Sequence, residues 1–225
     1  MGEVIGAMLP FIAGIALSPL PIVAVILTLF SNRGRAASLG FLTGWLLGLT
    51  ALTTVVVLLS GLIPQSQGGE PNPWVGWLKV ALGLALLWLA ARNWRSRPKA
   101  GEEPEMPGWM ASVGSLGFGG ALRLGVLLSA VNPKITVMCI TVGVGLGTAG
   151  LGTGPLIIAV SIFVVLSSLT VAGPVVANLV AADRLHGPLT RLRDWIAREN
   201  HTIMAVLFVV LGMNAIGQGI GIIWP

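Results

Sequence analysis

The sequence predicts an all-α integral membrane protein, with six transmembrane helices arranged as two inverted three-helix repeats. Three observations carry that prediction. Only 9% of the 225 residues are charged and 55% are hydrophobic, whereas a soluble domain carries about 25% charged residues. With a mean hydropathy of +0.91, the chain cannot cover a soluble surface of ordinary polarity. Lys and Arg alternate between successive loops. Two proline breaks of one kind fall in the middles of the first and fourth apolar stretches.

A spanning helix needs roughly 20 apolar residues. Six stretches qualify, at about 4–31, 37–63, 74–92, 119–147, 155–180 and 202–224. The first loop carries Arg33 and Arg35, the third Arg95, Arg97 and Lys99, and the fifth Arg184, Arg191, Arg193 and Arg198. The second and fourth loops and both termini carry neither Lys nor Arg. The positive-inside rule puts the odd loops in the cytoplasm and both termini outside, in a multi-pass protein of the cytoplasmic (inner) membrane. Met1-Gly2-Glu3 lacks a basic residue and the first apolar run is long, so a cleavable signal peptide is not expected.

Residues 93–118 hold Pro98, Gly101, Glu102, Glu103, Pro104, Glu105 and Pro107, a polar connector without a core. It separates a first three-helix repeat, 1–92, from a second, 119–225. Three spans per half give the halves opposite orientation. Aligning Pro19 with Pro133 also matches Ala16 with Ala130, Val23 with Val137 and Ile26 with Ile140.

In span one the break reads Ser18-Pro19-Leu20-Pro21; in span four it reads Ser129-Ala130-Val131-Asn132-Pro133-Lys134. Ser and Asn are favoured N-caps and Pro the first helical residue, so each stretch is a helix that stops and restarts. The prolines free the carbonyls of Ile15, Leu17 and Ser129, which Ser18, Ser129 and Asn132 are placed to help satisfy. Each restarting helix presents roughly half a positive charge. Interrupted helices at matching places in inverted repeats mark a transporter's binding site. The candidate substrate-binding residues are therefore Ser18, Pro19, Pro21, Ser129, Asn132, Pro133 and Lys134. Lys134 has no acid at matching depth. It is expected to hold an anion in the translocation site; bonding freed carbonyls such as that of Ser129, or coupling transport to protons, are the alternatives.

Other features read more plainly. Gly40, Gly44 and Gly48 line one face of span two, for internal packing or for a homodimer seam. Leu185, Leu189, Leu192, Trp195 and Ile196 recur at helical spacing in 183–199, an expected interfacial helix that anchors span six or gathers anionic lipid. Lys79 is expected to snorkel outward. Trp74, Trp77, Trp94 and Trp224 are expected as interface anchors. Met138 and the single cysteine, Cys139, are expected to pack, and dithiol chemistry is excluded. His186 and His201 make no metal cluster, no P-loop is present, and no catalytic constellation stands out. No enzyme activity, cofactor, metal or nucleic-acid partner is expected.

The run Leu17-Ser18-Pro19-Leu20-Pro21-Ile22, then Asn32-Arg33-Gly34-Arg35 and the glycines Gly40 and Gly44, resembles the actinobacterial GAP family of sulfolipid- and glycopeptidolipid-addressing proteins. That family falls within the lysine exporter (LysE) superfamily, whose second signature Asn132-Pro133-Lys134 resembles. The resemblance implies a six-helix secondary transporter, exporter or flippase, moving a glycolipid, a lipid-linked precursor or another anionic small molecule by alternating access. Ser18, Pro19, Pro21, Asn132, Pro133 and Lys134 match its motifs. The alternatives are an amino-acid or small-metabolite exporter, a solute channel, or a non-transporting subunit of an envelope-lipid export complex.

Overall fold

Without water, a long apolar run can satisfy its backbone only by internal hydrogen bonds, which makes it helical. The computed structural model describes residues 2–61, 73–96 and 113–224, without the side chains of 181–186, 193, 196, 197 and 200. Helix α1 (Gly2–Ala16) and helix α2 (Pro19–Leu29) meet at 50° across Ser18. Helices α3 (Gly34–Gly61) and α4 (Pro73–Arg95) are unbroken. Helix α5 (Phe118–Val126) continues through a π-helical turn (Leu127–Val131) and meets α6 (Pro133–Gly147) at 60°. Gly150, at φ +63°, turns the chain towards α7 (Thr153–Ile223), in a conformation that side chains resist. Four segments are long and apolar enough to cross a membrane unbroken: α3, α4, and the Thr153–Val180 and His201–Ile223 limbs of α7. The bent pairs α1–α2 and α5–α6 pass the same test as pairs.

The 71 helical residues of α7 do not run straight. Thr170 donates to the Ala16 carbonyl, and Leu211 lies against Gly14, two residues away on α1. In a straight helix residues 170 and 211 would lie about 60 Å apart, so α7 folds back between its two limbs. The stretch 183–199, expected as an interfacial helix, is helical, and its backbone joins the two limbs. Leu189 in this stretch is buried, whereas Leu192 and Trp195 are exposed; the side chains of Leu185 and Ile196 lie outside the described residues. So do residues 97–112, which contain most of the Pro- and Glu-rich connector.

The second limb of α7 runs antiparallel to α4. Gly83 meets Gly212 and Ile216, and Gly76 meets Gly219 and Ile223. Helix α3 lies parallel to the α5–α6 pair. A Cβ on Gly40 or Gly44 would strike the backbone of Phe118 or Leu122, and one on Gly48 would strike Ser129. With no hydrophobic force between helices in lipid, this close approach is the packing term available. The glycine face thus packs within one chain. Trp45, fully buried on α3, stacks on Phe41 and donates to the Ser168 hydroxyl across the bundle.

Helix directions sort the bundle into two ends. Arg33, Arg35, Arg92, Arg95 and Arg123 lie at one end, and the starts of α1 and α4 lie with the close of α7 at the other. Trp77 and Trp224 meet edge-on at that second end, 6.4 Å between ring centres. Trp74, Trp77, Trp94 and Trp224 are all exposed near helix ends, as interface anchors require.

Candidate functional site

Ser18 and Asn132 have nearly the same backbone, φ −68° and ψ 115° against φ −66° and ψ 115°. Each precedes a proline that opens a helix, so the two breaks are locally alike. Their hydrogen bonding differs. The Asn132 side chain accepts from the Lys134 backbone N–H at 3.2 Å, an ordinary N-cap. The Thr136 hydroxyl donates to the carbonyls of Ala130 and Asn132. Ser129 donates to Gly125 at 2.8 Å and to Val126 at 3.2 Å, within the π-helical turn.

Ser18 departs from expectation. It makes no side-chain cap, and its hydroxyl, fully buried, has no hydrogen-bond partner among the described residues. The carbonyls at this break are met from elsewhere. That of Ile15 accepts the Ser18 backbone N–H at 3.0 Å, and that of Ala16 accepts the Thr170 hydroxyl of α7. Ser18, Pro19 and Pro21 are buried, whereas Val131 and Pro133 are exposed and Asn132 is half-buried. Leu17, before the first break, is exposed as Val131 is before the second, so the breaks differ in the burial of the capping residue and its proline rather than along their whole length.

Lys134 reaches α7, where its ammonium lies 2.8 Å from the Met204 thioether. This is a weak acceptor, and no carboxylate pairs with Lys134 among the described residues. The alternative, a bond from its ammonium to the Ser129 carbonyl, is not formed.

The two breaks are related through a single crossing. Gly14 of α1 faces Met138 of α6 and Leu211 of α7; a Cβ built on Gly14 would lie 2.6 Å from Leu211 Cδ1 and 3.1 Å from Met138 Cε. Ser18 and Lys134 are each four residues from this crossing, about 6 Å along their helices and both towards the arginine end. The breaks therefore sit at one depth. Phe11, Met138 and Leu211 are buried there, so the crossing is a packed plug.

On the other side of the plug lies a cavity of about 200 Å³ between α1, α4, α6 and the second limb of α7. Met8, Phe11, Val142 and Leu146 form apolar wall, and Glu3, Lys79, Thr141 and Gln218 are polar. Lys79 does not snorkel outward. Its ammonium donates to Gln218 Oε1 at 3.0 Å, and Gln218 Nε2 donates to Asn214 Oδ1 at 2.7 Å. Sequence depth gave the distance of Lys79 from its helix end but not the face that packs.

A second cavity, of about 430 Å³, is an apolar groove between α4 and the same limb. Leu87, Ala90, Trp94, Ala205, Val206 and Val209 line it. Its Ala205 is adjacent in sequence to Met204, the Lys134 contact, so the groove reaches the depth of the breaks.

Helices of this length and apolarity, with a sparse polar interior, make the chain a membrane protein. A family model described as Sap, sulfolipid-1-addressing protein, matches residues 8–221. The chain belongs to that family. The match takes in both breaks, the plug, Lys134 and Lys79, and leaves only Glu3, Val4 and Ala7 of the cavity lining outside it. No curated protein and no solved structure matches the chain. For this Sap-family chain the fold and the site geometry therefore stand on its own residues.

Cys139 and Met138 are buried, and the Cys139 thiol lies against the Thr53 hydroxyl. Among the described residues no group of His, Cys, Asp and Glu could hold a metal ion. The polar residues that sequence reasoning missed are Thr136, Thr170, Gln218 and Asn214. A hydroxyl following Asn-Pro by a turn was a local signal for Thr136; the other three depend on which helices become neighbours.

Proposed function

We propose that this chain is a secondary transporter, an exporter or flippase. Its cargo would be an anionic amphiphile, such as a glycolipid or lipid-linked precursor, moved across the cytoplasmic membrane by alternating access. The observation that carries this reading is the plug. Gly14, Met138 and Leu211 close a polar cavity directly above two helix breaks and an ammonium without a carboxylate partner. Opening that contact while closing its opposite would pass a head group from Lys134 to the cavity. The apolar groove at the same depth is sized for lipid tails, so a bulky tail need not enter the bundle. The family's printed description, sulfolipid-1-addressing, supports a lipid cargo.

The bent pairs then count as single spans, giving six, with termini outside by the loop arginines. Inverted repeats are supported by how the contacts pair. Exchanging spans one to three for four to six turns the α3·α5–α6 packing into that of the first α7 limb on α1, where Thr170 meets Ala16. It returns the α4·second-limb packing to itself. On this reading the chain is a lysine exporter superfamily carrier.

The test is a proteoliposome flip and uptake assay with a panel of anionic lipids, metabolites and amino acids, wild type against Lys134→Ala. Transport of anionic amphiphiles should fall by roughly 10- to 100-fold in the variant, the effect of removing a charge from a desolvated contact. Unchanged transport in Lys134→Ala would remove Lys134 from the pathway. If the purified protein moves none of these, the carrier reading fails.

A further inference from the structure

The geometry points to a second anion site, centred on Lys79 in the cavity on the far side of the plug from Lys134. It would take the sulfate, phosphate or carboxylate of a short amphiphile. The proposal rests on the transport reading for its role, a station where cargo pauses before release, but not for its existence. An ammonium has three N–H donors, and the structure uses one, to Gln218 Oε1. Gln218 is held in turn by Asn214, which fixes which amide atom faces Lys79. The lysine is thus aimed rather than free to swing. Two of its donors remain, and among the described residues no carboxylate pairs with it.

Among the described residues, one other charged group lines the cavity. Glu3 is exposed in the first turn of α1, where solvent screens it, whereas Lys79 is half-buried against α7 and acts through a less polar medium. Thr141 spends its hydroxyl proton on the Val137 carbonyl and adds only acceptor capacity. Beside the cation, Met8, Phe11, Val142 and Leu146 offer apolar wall to the first carbons of a tail. A cation held by an amide relay and flanked by apolar wall selects an anion that has a tail.

Calorimetry on the full chain in an uncharged maltoside detergent tests this with three probes: hexyl sulfate, hexyl glucoside and inorganic sulfate. Hexyl sulfate should bind once per chain. Lys79→Gln should weaken it roughly tenfold or more, by loss of a charge-assisted contact. Lys79→Arg should retain most of the binding, and all of these measurements are made in a Lys134→Gln background, which removes the other cation proposed to hold an anion. Gln218→Glu, which keeps the side chain's shape and gives Lys79 an internal carboxylate, should abolish binding even if Lys79→Gln proves unstable. Inorganic sulfate matching hexyl sulfate would support the anion site and identify its ligand as a free anion. Hexyl glucoside binding as tightly as hexyl sulfate, or binding that survives both Lys79→Gln and Gln218→Glu, would overturn the site. Because binding is read without transport, a chain that binds hexyl sulfate in this background but moves no lipid as wild type would sink the carrier reading and leave this site standing.

Discussion

The two helix breaks share a backbone and differ in everything that holds it. At Asn132 the break is self-sufficient: the side chain caps the new helix, and Thr136, one turn on, gathers two carbonyls. At Ser18 the local hydroxyl is idle; the Ser18 backbone N–H meets the Ile15 carbonyl, and the Ala16 carbonyl depends on Thr170 of a distant helix, α7. Bending a membrane helix therefore does not require one chemistry. It requires that every freed group be met, by local or by distant partners. A locally satisfied break keeps its shape when neighbouring helices move. A break satisfied by α7 is tied to the position of α7. This difference makes the Ser18 side the natural place for α7 motion to be felt by α1.

The largest test of that contrast uses the glycine beside each break. A Cβ at Gly48 meets Ser129 in the π-helical turn, with the Val126 carbonyl 3.3 Å away, so the intrusion falls on backbone and on a hydroxyl already committed. Gly48→Val should cost about 3 kcal/mol or more by overpacking, read as a lowered thermal midpoint in detergent. Gly14→Ala meets only the ends of Leu211 and Met138, which can swing aside, and should cost well under half as much. Equal losses would mean that the plug is as rigid as the α3–α5 seam, which would count against its opening during transport.

Removing the distant donor comes next. Thr170→Val keeps the shape and leaves the partly buried Ala16 carbonyl without its partner, an expected loss of about 1 kcal/mol or somewhat more. Thr136→Val should cost less, because the Asn132 carbonyl keeps the Thr136 backbone N–H at 2.9 Å and only the longer, 3.1 Å bond to the Ala130 carbonyl is lost outright. The reverse order, measured by unfolding midpoints, would show that the Ser18 break does not lean on α7.

Much of this was legible in sequence because proline acts locally. Ser18-Pro19 and Asn132-Pro133 fix where helices stop whatever surrounds them, and Asn132 caps a helix two residues away. Both breaks, the long apolar segments and the membrane assignment could be read for that reason. Thr170 on Ala16, Gln218 on Lys79 and Trp45 on Ser168 could not, since each bond joins residues more than 120 positions apart. Depth along a helix follows from counting, but the inward face depends on the neighbour. That is why Lys79 reads as a snorkelling residue and Gly40, Gly44 and Gly48 leave two uses open. The 183–199 stretch looks like its own helix because its composition changes at both borders. Backbone hydrogen bonding is indifferent to that change and runs on through it.

The smallest effect separates the breaks most sharply, because it concerns the pair of residues that sequence treats as equivalent. Asn132→Ala removes a cap that accepts the Lys134 N–H and should cost about 1 kcal/mol, recovered in large part by Asn132→Asp. Ser18→Ala removes a buried hydroxyl that bonds to nothing among the described residues, so no hydrogen bond is lost and the cost of burying that hydroxyl disappears. It should be neutral or stabilising by a few tenths of a kcal/mol. Thermal midpoints of the two variants, measured side by side, make the comparison. A Ser18→Ala variant that loses as much stability as Asn132→Ala would show that the Ser18 hydroxyl is bonded in the membrane, and the two breaks would then be held alike.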